Sequence, residues 1–281
     1  MMHELVRKAA ELIISSKSMT AFAGAGLSQE SGIPTFRGDE GIWKNFLPII
    51  YGNPAGLVSA FVFSPGKFRE FIDATLKAFV QADPNPGHLA LGELCKAGML
   101  KAVITQNIDD LEKRAGVNEV VQLHGSIYQW RCLQCKEYST VSRESMIGVA
   151  AQLQPGMGRK DLIELGRKIA KCPNCEGWRR PDIVLFGEKL NQEVFFRAVE
   201  LARSSDLMLI LGTSGVVYPA ALIPNYARKA SAKIIEINPE DSSVSELAEI
   251  KIRSTSAATL PSILSAVRET APEIFKDKPS G

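Results

Sequence analysis

The sequence predicts an α/β fold: a Rossmann-like parallel sheet with helices on both faces, joined by a helical module and a cysteine-bearing module. Three observations predict it. Apolar runs of strand length, such as Met19 to Ala23, Leu207 to Leu211 and Lys233 to Ile237, alternate with segments of helical apolar spacing. The first run breaks directly into Gly24-Ala-Gly26, the local signature of a buried strand turning into a phosphate-binding loop. Four of the five cysteines fall into two Cys-x-x-Cys pairs, which set a separate module apart from the sheet.

Each element has its own reason. Residues 2 to 16 carry apolar positions at helical spacing, mixed with His3, Glu4, Arg7, Lys8 and Glu11; this is an amphipathic helix and not a signal peptide. After strand 19 to 23 and its glycine loop, where a following helix start would add a favourable dipole, residues 38 to 84 turn aromatic-rich and predict a small helical module. The breaker cluster Pro84-Asn-Pro-Gly-His88 starts a helix over 87 to 97. Ala102 to Thr105 is a strand, a helix runs to Ala115, and Val120 to Leu123 is the next strand. The cysteine module spans about 128 to 180, with a helix at 160 to 171 between its pairs. Then come helix 191 to 203, strand 207 to 211, helix 219 to 230, strands 233 to 237 and 249 to 252, and helix 259 to 269; the tail from Pro272 to Gly281 frays. The expected division is 1–37, 85–127 and 183–281 for the sheet domain, 38–84 for the helical module and 128–182 for the cysteine module.

Composition limits the function. Apolar content of 45% and charged content of 23% are ordinary for a globular chain, and a net charge of +2 argues against a nucleic-acid or membrane surface. The apolar runs are far short of a membrane span. The expectation is a cytoplasmic protein.

Zinc carries the most specific signal. Cys132, Cys135, Cys172 and Cys175 can close a tetrahedral four-thiolate site, with two disulfides or a redox-active pair as the competing readings. Gly177 would free the turn after the second pair, whereas Lys136 makes the first turn less suited. Four thiolates leave no open position, so such a zinc would hold the fold and do no chemistry. Polar clusters follow four strands: Gly24 to Arg37, Gln106-Asn107-Ile108-Asp109, Gly212-Thr213-Ser214 and Asn238-Pro239-Glu240. Singly, Asp109 or Ser214 would serve as a helix cap; together the four outline one crevice. Arg37 is a cation placed where a pyrophosphate would need one. The glycine loop alone is no full dinucleotide fingerprint, because Gln29 stands where a third glycine would fall. His124 also lies at a strand end, while His3 and His88 read as structural; position alone leaves His124 open between structural and catalytic.

Taken together, Gly24-Ala-Gly-Leu-Ser28, Gly32-Ile-Pro-Thr-Phe-Arg37, Thr105-Gln-Asn-Ile-Asp109, His124-Gly125, the cysteine pairs, Pro181-Asp-Ile-Val-Leu-Phe-Gly-Glu188 and Gly212-Thr-Ser214 resemble the sirtuins, NAD-dependent protein-lysine deacylases. The resemblance covers roughly 19 to 240. It implies NAD as co-substrate, with the pyrophosphate near Gly24, Ala25, Gly26, Ser28 and Arg37, and the nicotinamide amide on Asp109 and the backbone near Ile108. It implies that Phe36 covers the ribose, that Gln106 and Asn107 orient ribose and water, and that His124 is the general base. Gly212, Thr213, Ser214, Asn238, Pro239, Glu240 and Ser256 would complete the NAD contacts, Ser256 on the adenine side. Val184, Phe186, Gly187 and Glu188 would bind acetylated-lysine protein segments as an added strand. Products would be free lysine, nicotinamide and O-acetyl-ADP-ribose.

Three departures qualify the match. Asp110-Leu111-Glu112 replaces a frequent Gly-Leu-His, which suggests a packing or surface change at Glu112. Gly215 stands where leucine is common and would loosen its loop. Ser256 stands for a frequent alanine. The acyl preference is expected to be short and neutral, because Ile72 and Thr75 occupy the positions where acid-preferring relatives carry tyrosine and arginine, and Arg69 is expected to snorkel to solvent. Rival readings are ADP-ribosyl transfer from the same NAD site, a zinc-ribbon nucleic-acid binder, and an NAD sensor without turnover.

Overall fold

The computed structural model describes residues 2–35 and 41–275, with Trp43 described by its backbone alone. Helix α1 (Met2–Ser15) buries Val6, Ala9, Ala10 and Ile13, the stripe that its apolar spacing marks. Strand β1 (Met19–Ala23) is buried at every position, as befits a central strand covered on both faces. Three proline-led helices follow: α2 (Pro48–Tyr51), α3 (Pro54–Phe63) and α4 (Pro65–Gln81). The breaker cluster then starts α5 (Pro86–Lys96), where the Asn85 side chain accepts from the Gly87 and His88 N–H groups. Strand β2 (Leu100–Thr105), helix α6 (Leu111–Arg114) and strand β3 (Val120–Gln122) complete this half.

The middle of the chain holds an antiparallel sheet of three strands that the sequence reading does not place: β4 (Gly125–Cys132), β5 (Tyr138–Thr140) and β6 (Arg179–Ile183), in the order β5-β4-β6. Helices α7 (Arg143–Ala150) and α8 (Arg159–Ala170) lie between β5 and β6 in the chain. The second half of the large sheet follows: α9 (Gln192–Arg203), β7 (Leu207–Leu211), α10 (Ile223–Lys229), β8 (Lys233–Ile237), β9 (Ile250–Ile252) and α11 (Ser256–Thr270). The six parallel strands run in the order β3-β2-β1-β7-β8-β9.

Alternate residues of these strands feed two cores. Met19, Ala21, Ala23, Leu207, Leu209 and Leu211 face α1, α5 and α11. Phe22, Ile104, Met208 and Ile210 face α9 and α10 on the other side. Phe22 is wholly buried; its truncation to alanine would cost roughly 3–5 kcal/mol. A third core joins α4 to β4, where Val80 packs with Ile127, Tyr128 and Trp130.

Some expectations need correcting. No α-helix starts from the first glycine loop; two short 3-10 turns, Ala25–Leu27 and Gln29–Ser31, take its place. The tail does not fray from Pro272: a 3-10 turn spans Pro272–Phe275, and Arg268 lies over the Phe275 ring. Residues 276–281 lie outside the described residues. Arg69 does not snorkel: its side chain is only 12% exposed and lies 3.8 Å from Asp73. Ile72 packs against Val149, Leu153 and Leu165. Among the described residues, no helix is long and apolar enough to cross a membrane.

Candidate active site

The polar strand ends meet where the strand order reverses. β1 and β7 are neighbours, and the sheet grows outward from them in both directions, so a crevice opens beyond their carboxyl ends. Here two backbones touch. A Cβ on Gly24 would stand 2.8 Å from the Gly212 carbonyl oxygen, and one on Gly26 would stand 2.8 Å from Gly212 Cα. Backbone cannot swing aside as a side chain can, so only glycine permits the approach that lets Gly26 N–H donate to Gly212 O at 2.8 Å.

Side chains tie the other strand ends to this contact. Asn107 Nδ2 donates to Gly24 O and to Ser28 Oγ, both at 3.1 Å. Ser28 Oγ donates in turn to Asp109 Oδ2 at 2.8 Å, while Leu111 N–H donates to Asp109 Oδ1 at 2.9 Å. Gln106 Nε2 donates to Thr213 Oγ1 at 2.9 Å, and Asn238 Nδ2 donates to Thr213 O at 3.1 Å. Ser28, Asn107, Asp109 and Thr213 are buried. Ser256, first residue of α11, is buried with its hydroxyl unpartnered.

His124 stands between β3 and β4 with Nδ1 2.8 Å from the Gln106 carbonyl oxygen. A carbonyl can only accept, so Nδ1 carries the proton and Nε2 keeps its lone pair. Burial pushes the imidazole below the ordinary histidine value of 6.5, opposed by the Gln106 carbonyl. The ring is therefore neutral at pH 7. It is a base.

Other expected site residues fall as follows. Ala25 opens a 3-10 turn beside Gly24. The Ile108 carbonyl accepts from Ile127 N–H at 3.0 Å. Ser214, Pro239 and Glu240 are exposed at the rim. Ser214 caps no helix; its carbonyl accepts from Ser243 N–H at 3.0 Å. Phe36 and Arg37 lie outside the described residues. In the segment after β6, Val184 N–H donates to His124 O at 3.0 Å and Phe186 N–H donates to Gly52 O at 2.8 Å. Gly187 has a φ of 87°, and Glu188 takes a two-pronged bond from Arg180, at 2.6 and 2.9 Å. Pro48, Ile49, Asn53, Phe186 and Gly187 line a groove of about 440 Å³.

One expectation about this region is reversed. Gly215 does not loosen its loop: its N–H donates to Thr213 Oγ1 at 3.2 Å and its carbonyl accepts from the Ser243 hydroxyl. Of the packing or surface change expected at Glu112, the structure shows the packing one, since the side chain is completely buried. His88 stands at its helix start, as expected of a structural histidine. Its Nδ1 accepts from Asn85 N–H at 3.4 Å, so Nε2 carries the proton and points at Ser28 Oγ, 3.5 Å away. A further support went unread. Glu236, buried within β8, accepts from Ser245 at 2.7 Å and from Arg253 at 2.7 Å, and so pins the loop after Asn238. A carboxylate inside an apolar strand run was the signal for it.

The four cysteines converge at the far end of the small sheet. Their Sγ atoms all lie within 4.8 Å of one another, with Cys132 and Cys175 at 3.5 Å and Cys135 and Cys172 at 3.7 Å. All four are free thiols, which removes the disulfide reading. Tetrahedral zinc with bonds of about 2.3 Å sets its sulfurs about 3.8 Å apart. The cluster matches that spacing and can hold one structural zinc. Gly177 is not the residue that frees the second turn. Lys136 and Glu176, each just after the second cysteine of its pair, take φ of 66° and 57°, so the two turns are alike.

A family model described as the Sir2 family matches residues 24–219. An NAD-dependent protein deacylase of Thermococcus kodakarensis is 40% identical over 265 residues, covering 94% of this chain and 96% of the relative. Among solved structures, a Sir2 homologue mutant in complex with ADP-ribose aligns with a TM-score of 0.78 at 34% identity, covering 94% of this chain and 97% of that one. A Sir2–p53 peptide–NAD+ complex aligns with a TM-score of 0.71 at 29% identity, covering 95% and 98%. The chain belongs to the Sir2 family. It is an enzyme of the sirtuin type, and the solved structures it resembles include NAD and ADP-ribose complexes.

Proposed function

We propose that this chain is an NAD-dependent protein-lysine deacylase that removes acetyl and other short neutral acyl groups, yielding nicotinamide and O-acyl-ADP-ribose. The observation that carries the reading is His124: a neutral imidazole whose Nδ1 is committed to the Gln106 carbonyl, leaving Nε2 as the free base. Bound NAD would supply an electrophilic ribose carbon and nicotinamide as leaving group. The chain's residues would do the rest. Gly24, Ala25, Gly26 and Ser28 would receive the pyrophosphate, Asp109 and the Ile108 backbone would hold the nicotinamide amide, and Ser256 would meet the adenine. Phe36 and Arg37 would serve as apolar cover and phosphate cation. His124 Nε2 would take the proton from a ribose hydroxyl, making it the nucleophile toward the acyl carbon, with Asn107 and Gln106 holding that hydroxyl's surroundings. General-base action of this kind contributes about a hundredfold to ten-thousandfold.

The acyl-lysine segment would lie along Val184, Phe186, Gly187 and Glu188, beside the groove under α2. The preference for neutral acyl groups is supported by that groove's lining, which is uncharged, and by Arg69 lying against Asp73. The cysteine cluster would hold zinc as a clamp on the small sheet. Incubation with NAD and an acetyl-lysine peptide, with products identified by mass, tests the reading: it expects deacetylated peptide and one acetylated ADP-ribose per nicotinamide. ADP-ribose attached to the peptide would replace it with ADP-ribosyl transfer.

A further inference from the structure

Among the described residues, Glu112 is the only carboxyl group with both oxygens buried and without a hydrogen-bond partner. It lies in α6, three residues beyond Asp109, and is fully excluded from solvent. Two buried carboxyls therefore share one loop, with unequal support. Asp109 accepts from Ser28 Oγ and from Leu111 N–H, whereas neither Glu112 oxygen has a partner at full hydrogen-bond geometry and only the Thr105 hydroxyl stands by as a side-chain donor. Burial penalises both anions, and well-formed donor bonds offset the penalty at Asp109 and not at Glu112, so the proton belongs on Glu112.

The charged and titratable groups around Glu112 agree. Burial, then the Asp109 charge, push its carboxyl up to about 8, with the Thr105 hydroxyl pulling the other way and Asp110 adding repulsion. Arg114, on the same helix, is bound to the Ala82 carbonyl and to Asp83. His88, on the neighbouring α5, is held down to about 4 by burial and by Arg114, and so is neutral. Thr105 connects the pair to the rest of the site, since its Oγ1 accepts from Asn107 N–H at 3.1 Å.

We propose that Glu112 is a positioning residue for the nucleotide site: a buried carboxyl that keeps its proton at neutral pH, so that of the two buried carboxyls only Asp109 is charged and keeps its bonds to Ser28 and Leu111. Ionisation of Glu112 places a second charge behind Asp109, loosens the Gln106–Asp109 loop and weakens NAD binding.

The inference rests on Asp109 as an NAD contact, and the experiment separates the two claims. A folded-state pKa raised from 4.5 to about 8 gives stability that is present below pH 4.5 and lost as pH rises toward about 8. Thermal stability of the ligand-free protein should show that loss, and Glu112→Gln should lack it. Glu112→Met, of similar length and apolar, should behave like Glu112→Gln, so either variant suffices if the other fails to fold. NAD affinity measured by calorimetry should fall in the wild type above pH 8, by up to about tenfold per pH unit. It should stay level in both variants and match the wild type at neutral pH. Variants that follow the wild-type fall, or that lose NAD binding at neutral pH while folded, would overturn the proposal. Folded wild type that binds no NAD at any pH would overturn the functional reading and the positioning role with it, while the ligand-free stability slope decides the neutral carboxyl independently.

Discussion

The strand-end crevice and the cysteine cluster are both polar and both bring together residues distant in sequence, yet they are built in opposite ways. In the cluster every ligating atom faces the others, all within 4.8 Å, and four thiolates around one cation leave no position open. In the crevice the residues bind one another with only part of their capacity. His124 uses Nδ1 and leaves Nε2; Ser256 leaves its hydroxyl unpartnered; Asp109 is held by donors while Glu112 is not. A site that satisfies itself stabilises. A site that leaves groups unsatisfied, in fixed geometry, can bind and react.

The largest effect that sharpens this contrast is metal removal. Stripping the cluster, or replacing Cys172 by alanine, should unfold the small sheet region, since structural zinc contributes on the order of 10 kcal/mol to such modules. Metal analysis of fresh protein should give one zinc per chain, and the contrast breaks if it gives far less. Next comes Asn107→Ala, which removes the bonds to Gly24 O and Ser28 Oγ. The buried acceptors left behind cost about 1–3 kcal/mol in stability, and turnover should fall further than stability does. Comparing acetyl-, butyryl- and succinyl-lysine versions of one peptide should show the succinyl form disfavoured at least tenfold, because a desolvated carboxylate without a cation costs several kcal/mol. Equal efficiency for succinyl would reveal a cation facing the groove. The smallest effect is on pH. Burial holds His124 below 6.5, so the imidazole stays a free base as pH falls to 6.5 and the acid limb of turnover should lie lower still; a limb above that value would contradict the buried neutral ring.

What was legible in the sequence follows from how each part is stabilised. Strands Met19–Ala23, Leu207–Leu211 and Lys233–Ile237 stand where the apolar runs predict them, because strands buried on both faces leave a mostly apolar record, broken only at Thr20, Lys233 and Glu236. The small sheet left no such record: β6 reads Arg-Arg-Pro-Asp-Ile and is half-buried throughout, so neither alternation nor an apolar run marks it. The cysteines were legible because spacing alone dictates their chemistry, although the turns that present them rest on Lys136 and Glu176 and not on glycine. The depth of Glu112 and His88 was not legible for one reason. Sequence spacing on a helix does not say which neighbour covers it, and the packing of α5 against α6 makes these two interior.

The most direct test of the account is His124→Ala, measured for NAD binding and for acetyl-peptide turnover in the same preparation. The imidazole is bound through Nδ1 to a backbone carbonyl, and the proposed base is Nε2, so its loss should leave NAD affinity within a few-fold of wild type and lower turnover by about a hundredfold to ten-thousandfold. Turnover near the wild-type rate, in protein that binds NAD normally, would contradict it.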